Sequence, residues 1–269
     1  MPSTARIAGA AGLAAPDEAL TRPLRRPAIT LLALAAGLLL WRLAAALTPD
    51  SRTLLPAPEV VLVRLWDLAA RGILWPHLVA TLTEAGLGFL VGAAAGLTLG
   101  YVVAKAPVLE AFLAPYVAGA QAVPVVAIAP LMVLWFGLDL LPKVLTCALI
   151  VFFPILVSTV AGLRGVDRTL IEAAQTFGAG RWAILGYVEI PLALRSLLGG
   201  LKLGLTLSMT GAVVGEFIAA DRGLGYLLTA GRSNFDTPLV FAALLTLAAV
   251  TIGAYILVNG LEARLIDWE

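Results

Sequence analysis

Residues 164–195 read RGVDRTLIEAAQTFGAGRWAILGYVEIPLALR, a charged connection set between the apolar runs Val144–Leu163 and Leu197–Phe217. Asp167 is a good helix N-cap, because a short carboxylate accepts hydrogen bonds from the free N–H groups of a first helical turn. Leu170, Ala173, Ala174 and Phe177 then recur at i, i+3, i+4 and i+7, which is one face of a helix. Gly178 and Gly180 end that helix, since glycine accepts the left-handed backbone of a helix C-terminus. A second short helix is expected from Arg181 to Tyr187, stopped by Pro191. An apolar helix face held outside the lipid between two spans is a surface for docking another protein.

The rest of the chain sets the environment of this stretch. Of 269 residues, 61% are apolar and 13% are charged, against about 25% charged in a soluble domain. So few charges cannot cover a water-facing surface, and the hydrophobicity excludes intrinsic disorder. The class that remains is an all-α, polytopic membrane protein, in which each span needs about 20 mostly apolar residues. Six such runs are present: Ala28–Leu47, Leu82–Ala104, Val117–Phe136, Val144–Leu163, Leu197–Phe217 and Leu239–Gly260. Pro124 and Pro130 predict a kinked third span, and Pro154 predicts a kink in the fourth. Arg22, Arg25 and Arg26, the apolar run and Ala44-Ala45-Ala46 imitate a cleavable secretory signal. The length of the run and Arg42 just before the small residues favour retention as a first span.

Basic residues set the orientation. With the N-terminus inside, Arg6, Arg22, Arg25, Arg26, Lys105, Arg164, Arg168, Arg181, Arg195 and Arg264 are cytoplasmic, and Arg52, Arg64, Arg71, Lys143, Arg222 and Arg232 lie outside. Ten against six places both termini and residues 164–195 in the cytoplasm. The outer segment Pro56 to Arg71 reads as a short amphipathic helix, with Val60, Val63 and Trp66-Asp67 near helical spacing and Pro58 near its start. The net charge is +1, with no basic stripe, so no nucleic-acid partner is expected. The single cysteine, Cys147, reads as a buried small hydrophobe, and with one histidine, His77, no metal set is expected.

Glu172-Ala173-Ala174, Gly178 and Val188-Glu189-Ile190-Pro191 together resemble the EAA loop of ATP-binding-cassette importer permeases. That loop reads Glu-Ala-Ala, a Gly six residues after the Glu, and an Ile-x-Leu-Pro end. Here Val188 and Ile190 are conservative replacements in it. The resemblance covers roughly Leu55 to Trp268. Leu55-Pro56-x-Pro58, Pro130-x5-Phe136-Gly137, Phe153-Pro154-Ile155 and Gly223-Leu224-Gly225-Tyr226-Leu227 are similar to the nitrate, sulfonate and taurine branch, with its relatives for bicarbonate, riboflavin and thiamine-precursor pyrimidines.

The resemblance implies a type I (MetI-like) importer permease fold in a bacterial inner membrane. The implied organisation is a cytoplasmic tail 1–27, a first span 28–47, a periplasmic segment 48–81 with a short helix, and a core permease domain 82–269 of five spans. It also implies a second permease copy, separate ATPase subunits that hold ATP and magnesium, a periplasmic binding protein that delivers solute, and surrounding lipid. No cofactor is expected on this chain. Leu170, Glu172, Ala173, Ala174, Phe177, Gly178 and Pro191 are then the ATPase-coupling residues. The residues themselves agree, because Lys105, Lys143 and Lys202 are the only lysines and none is followed by Ser or Thr. A Gly-x4-Gly-Lys-[Ser/Thr] phosphate loop is therefore missing from these residues.

For the solute pathway the candidates are Gln121, Pro124, Pro130 and Met132, at the irregular third span, and the charged Glu84, Glu216 and Lys202. Irregular backbone at membrane depth is tolerated only against protein or water. Glu84 and Glu216 fall near the outer ends of their spans and read equally as interfacial, wetted carboxylates or as gate and substrate contacts. Lys202 either snorkels to the cytoplasmic side or lines the pathway. Gly88, Gly92, Gly96 and Gly100 draw a side-chain-free stripe, which favours intramolecular packing over a dimer seam. A self-sufficient ion-coupled transporter or channel is the competing class, but it calls for an internal repeat and more intramembrane acids. An intramembrane enzyme would need a nucleophile or metal set that the sequence lacks.

The orientation gives a direct expectation. Cysteines placed at Arg222 and Glu172 in intact cells should differ towards an impermeant thiol reagent, with 222 labelled and 172 protected. The reverse pattern would invert the topology and remove the argument for import.

Overall fold

The computed structural model describes residues 22–265, so the expected cytoplasmic tail lies outside the described residues up to position 21, as does the chain from 266 onward. Among the described residues all regular structure is helical. Helix α1 runs Arg22–Leu47, the single turn α2 Ser51–Leu54, α3 Pro58–Ala70, α4 Leu74–Lys105, α5 Pro107–Ala122 and α6 Val125–Phe136. Then follow α7 Leu140–Arg164, α8 Arg168–Thr176, α9 Arg181–Ile184, α10 Ile190–Ala219, α11 Leu224–Ser233 and α12 Thr237–Leu265. Among the described residues, five helical runs are long and apolar enough to cross a membrane, and the α5–α6 pair makes a sixth if the two count as one span.

That pair corrects the expected third span. The chain does not kink between Val117 and Phe136; it breaks into two helices at 92°. Pro124 lacks the N–H that would continue the ladder, and it pushes Val123 into extended backbone, φ −79° and ψ 121°. Pro130 sits inside α6, and Pro154 is carried inside an uninterrupted α7.

Pro191 also behaves differently from the expectation. It does not stop the helix that begins at Arg181. Residues Leu185–Glu189 form a π-helical turn, in which Ile190 N–H bonds back to the Leu185 carbonyl, and α10 starts with Pro191 in its first turn. The extra residue in the turn absorbs the donor that proline lacks, so helix continues into the membrane. The span expected at Leu197–Phe217 is thus the upper part of a run from Arg181 to Ile218. Likewise the span expected from Leu82 belongs to a helix that begins at Leu74.

Helix α7 is the centre of the bundle, held between α4 and α10. A Cβ on Gly92 of α4 would lie 2.6 Å from the Ala148 carbonyl oxygen, and one on Gly100 would lie 2.7 Å from Thr159 Cβ. From the other side, a Cβ on Gly204 would come 2.8 Å from Ile155 Cδ1 and one on Gly211 2.7 Å from Cys147 Cα. The glycine stripes are therefore contact faces within the chain, and Cys147 is fully buried where they meet. Among lipid tails apolar burial gives helices little reason to associate, so close backbone approach supplies the dispersion contacts instead.

At the end of the bundle away from residues 164–195, α3, α11 and α12 form a second layer. Val61, Leu68, Leu224, Leu227, Leu228, Leu239 and Ala242 make its buried core with Leu74 of α4. Pro58 opens α3 as expected, but the buried stripe is Val61 and Leu68, whereas Val60, Val63 and Trp66 point outward. α1 joins at its C-terminal end, through Trp41 Nε1 donating to the Pro56 carbonyl at 3.1 Å and Arg42 paired with Glu59 at 2.7 Å.

Gly92→Ala should lower the melting temperature of the purified protein, with overpacking costing about 1–3 kcal/mol. The obstacle is a backbone oxygen, so the two helices must separate to admit the methyl group. Gly86→Ala, where a Cβ meets nothing within 4 Å, should leave the melting temperature unchanged or raise it.

Candidate functional site

Residues 167–179 fold as their local signals require. Asp167 Oδ1 accepts from Thr169 N–H at 2.9 Å at the start of α8. That bond and the Thr169 hydroxyl hold the Asp167 carboxyl below its ordinary pKa. At the other end Gly178 takes φ +83°, its N–H bonds to the Gln175 carbonyl at 2.9 Å, and Ala179 N–H bonds to that of Ala174 at 3.0 Å. A side chain at Gly178 would be strained in this left-handed backbone.

The loop has an inner and an outer side. Inward, Ile171 and Val188 pack on Leu163, Val166 and Ala193, together with Tyr101 and Ala104 from the end of α4. Outward, Phe177 is 92% exposed and Leu170 48%, while Ala173 and Glu172 are also exposed and Ala174 is half-buried. Trp182 and Tyr187 are also exposed, to 81% and 86%. Sequence reasoning had not singled them out; two large aromatics in a segment that must leave the lipid were the available signal. Pro191 stands where the loop becomes α10. Glu189, also missed, is buried and forms an ion pair with Lys105 at the end of α4. Arg164 pairs with Glu110 of α5, so the loop's ends are tied ionically to α4 and α5.

The pathway candidates separate into groups. Gln121 lines cavities of about 420 and 410 Å³, the first between α5 and α7 and reaching Glu110 and Arg164, the second at the α5–α6 break and reaching Phe153 and Pro154. Pro124 caps α6 at the break and Pro130 lies within α6. Met132 lines a third cavity of about 360 Å³ with Trp135 and Phe152. Lys202 is not among the residues of these cavities; it forms an ion pair with Glu262 of α12, which answers its charge at that depth.

Glu84 and Glu216 are not wetted interfacial groups. Each is 2% exposed. Lys143, which the charge count put in an outer connection, is 5% exposed and donates to Glu84 Oε1 at 2.9 Å. Glu216 accepts from the Thr81 hydroxyl at 2.6 Å and from Gly225 N–H. Thr81 Oγ1 in turn accepts from Leu224 N–H at 2.8 Å, and His77 Nδ1 accepts from Gly223 N–H at 3.0 Å. The free N–H groups at the start of α11 are thus held by side chains of α4 and α10, with Gly223 at φ +128° making the turn. This network joins α4, α7, α10 and α11 at one end of the bundle.

Comparison with known proteins places this arrangement. Residues 88–267 match the family of binding-protein-dependent transport system inner membrane components. The riboflavin transport system permease protein RibX of Chloroflexus aurantiacus is 48% identical over 232 residues, 86% of this chain and 87% of that one. The taurine transport system permease protein TauC of Escherichia coli K12 is 32% identical, with 91% of each chain covered. The formylaminopyrimidine transport permease protein ThiX of Halalkalibacterium halodurans is 32% identical over 86% of this chain and 92% of its own. Among solved structures, the inward-facing MetNI methionine ABC transporter superposes with a TM-score of 0.58 at 20% identity, over 75% of this chain and 96% of that chain. An amino acid ABC transporter solved with histidines gives the same TM-score at 18% identity, again over 75% and 96%. These two likenesses carry the fold.

The buried pair gives a stability prediction. Lys143→Met leaves Glu84 without its cation and should destabilise the protein by about 3–5 kcal/mol, whereas Glu84→Leu/Lys143→Met should recover most of that loss. Thermal or denaturant unfolding of the purified single and double variants measures the difference. Equal losses in both would mean the pair is not the dominant contact there.

Proposed function

The chain belongs to the family of binding-protein-dependent transport system inner membrane components, and on that premise we propose how it works as the transmembrane permease subunit of an ATP-binding-cassette importer. Two copies pair, with N- and C-termini in the cytoplasm, and surround the pathway with lipid outside. Separate ATPase subunits hold ATP and magnesium and carry out the hydrolysis. A periplasmic binding protein docks on the opposite end and delivers a small solute of the nitrate, sulfonate and taurine type or of the riboflavin and pyrimidine type.

The observation that carries this reading is the set of exposed apolar side chains Leu170, Phe177, Trp182 and Tyr187 on a loop whose inner side is anchored to α4, α7 and α10. A cytosolic surface of that kind is covered by a protein partner. Bound ATPase movement enters through α8, and Ile171, Val188 and the Glu189–Lys105 pair pass it to the feet of the spans. The π turn at Leu185–Glu189 joins the loop to α10 without a break, so the loop moves that span as a lever rather than through a slack linker. At the α5–α6 break, Gln121, Pro124, Pro130 and Met132 are the residues through which the change reaches the solute pathway. Glu84 and Glu216 act at the outer end by holding α11 and α7 in place, and Lys202 acts by tying α10 to α12.

Gly178→Asp tests the coupling role, because it places a charge and a Cβ where φ is +83°. The variant should insert in the membrane normally, fail to co-purify with its ATPase, and lose at least tenfold in solute uptake. Normal uptake by this variant would remove residues 164–195 from the coupling step.

A further inference from the structure

Helix α3 has two unlike exposed sides. Its buried side is Val61 and Leu68, packed with α11 and α12. On one flank Arg64, Asp67 and Arg71 recur at i, i+3 and i+7. Asp67 pairs there with Arg71 at 2.6 Å and with Arg64 at 3.4 Å, and Val60 is the apolar exception. On the other flank Glu59, Val63 and Trp66 recur at i, i+4 and i+7, with Leu62 beside them. Val63 is 69% and Trp66 76% exposed, and the charge of Glu59 is met by Arg42 of α1. One edge of the helix is thus polar and the other apolar, while its third side is in the core.

Two spans fix the depth of α3. Trp41 donates to the Pro56 carbonyl and Arg42 pairs with Glu59, so α3 begins level with residues 41–42 of α1. The apolar run of α1 continues to Leu47, and the five further residues rise about 8 Å. On the other side Leu239, Ala242 and Ala243 share the buried core with Val61 and Leu68. Those three lie in the first two turns of the apolar run Thr237–Gly260. Trp41 stacks on Phe241 at 5.7 Å, which sets the two spans at one level. Helix α3 therefore lies below the ends of both apolar runs rather than beyond them.

A helix with one apolar and one polar edge at that depth matches a bilayer boundary. Interfacial helices sink their apolar side about 5–10 Å into the region where head groups meet acyl chains, and turn the polar side to water. Tryptophan is favoured at this level, because its ring is apolar and its N–H is not. The apolar edge is also continuous with a surface that already faces lipid. Leu39 and Leu43 of α1 are exposed along its span, and Arg42 between them holds Glu59, the first residue of the row that Val63 and Trp66 continue.

We propose that α3 is an interfacial helix embedded in the lipid leaflet at this end of the bundle, with Leu62, Val63 and Trp66 among the acyl chains and Arg64, Asp67 and Arg71 at the water. The partner of the apolar edge is phospholipid, and the edge is withdrawn from any soluble protein that docks on this end. The embedding follows from depth and sidedness and holds for either orientation of the chain; that the leaflet is the outer one rests on the importer topology.

The experiment places a nitroxide on the permease–ATPase complex in phosphatidylcholine nanodiscs, through Val63→Cys, Trp66→Cys and Arg71→Cys in turn. The fully buried Cys147 is left in place, and the unsubstituted complex shows the background. Leu39→Cys supplies the lipid reference and Arg222→Cys the water reference. Collisions with oxygen, which concentrates in lipid, are compared with collisions with a water-soluble nickel chelate. The oxygen-to-nickel ratio at Val63 and Trp66 should exceed that at Arg71 by at least tenfold and fall close to that at Leu39. A ratio at Val63 and Trp66 equal to that at Arg222 would put α3 in water and overturn the proposal. Protection from both reagents would mean that a second copy covers the edge, and would overturn it too. Addition of the soluble binding protein should leave both sites unchanged, and shielding by it would make the edge its docking site instead. Labelling of positions 222 and 172 in intact cells tests the topology separately. Its reversal would move α3 to the other leaflet and sink the importer orientation, with the embedding still standing.

Discussion

The structure depends on the close approach of α7 to two helices at once. In lipid there is little gain from bringing one apolar side chain next to another, so a bundle holds together where backbones come near enough for many dispersion contacts. Glycines on α4 and α10 allow this, and Cys147, Val151 and Ile155 are touched by both stripes, the Cys147 thiol lying 3.3 Å from the Ser208 carbonyl. With α4, α7 and α10 fixed as one unit, both ends have something firm to build on. The feet of the three helices hold residues 164–195, and their far ends hold α11.

Charges do at the ends what glycines do in the middle. Glu189–Lys105, Arg164–Glu110 and Lys202–Glu262 each join elements that are distant in sequence, near the end that carries residues 164–195. At the other end Glu84–Lys143 and Glu216 with Thr81 join α4, α7, α10 and α11, and Arg64 of α3 reaches Asp236 at 2.5 Å. Ions at the edge of a hydrocarbon layer are expensive when alone and become specific when paired, because only one arrangement satisfies both partners. The pairs therefore fix which helix stands against which.

Local chemistry made much of the loop at 164–195 legible. Asp167 and Gly178 are caps whose effect spans a few residues, so the N-cap bond to Thr169 and the positive φ were readable from composition and spacing. The same was true of α3, which begins at Pro58. Its buried side was not readable, because apolar residues occur all round that helix, and the choice of Val61 and Leu68 over Val60 and Val63 was made by α11 and α12. Prolines were legible as disturbances but not in size. Pro124 breaks a span by 92°, Pro154 is accommodated inside α7, and Pro191 is absorbed by a π turn.

By itself the sequence determined the membrane class, the apolar spans and the capped helix of the loop at 168–176. Each of these follows from hydropathy, from helical period or from capping over fewer than about 20 residues. The tertiary structure alone decided the fate of the charges. Lys143 counts as an outer-loop cation in any linear reading, yet it is buried against Glu84, 59 residues away, and Glu216 meets Thr81 across 135 residues. No local rule specifies such partners, because a buried ion's position is settled by which distant group can satisfy it once the glycine faces have brought the helices together.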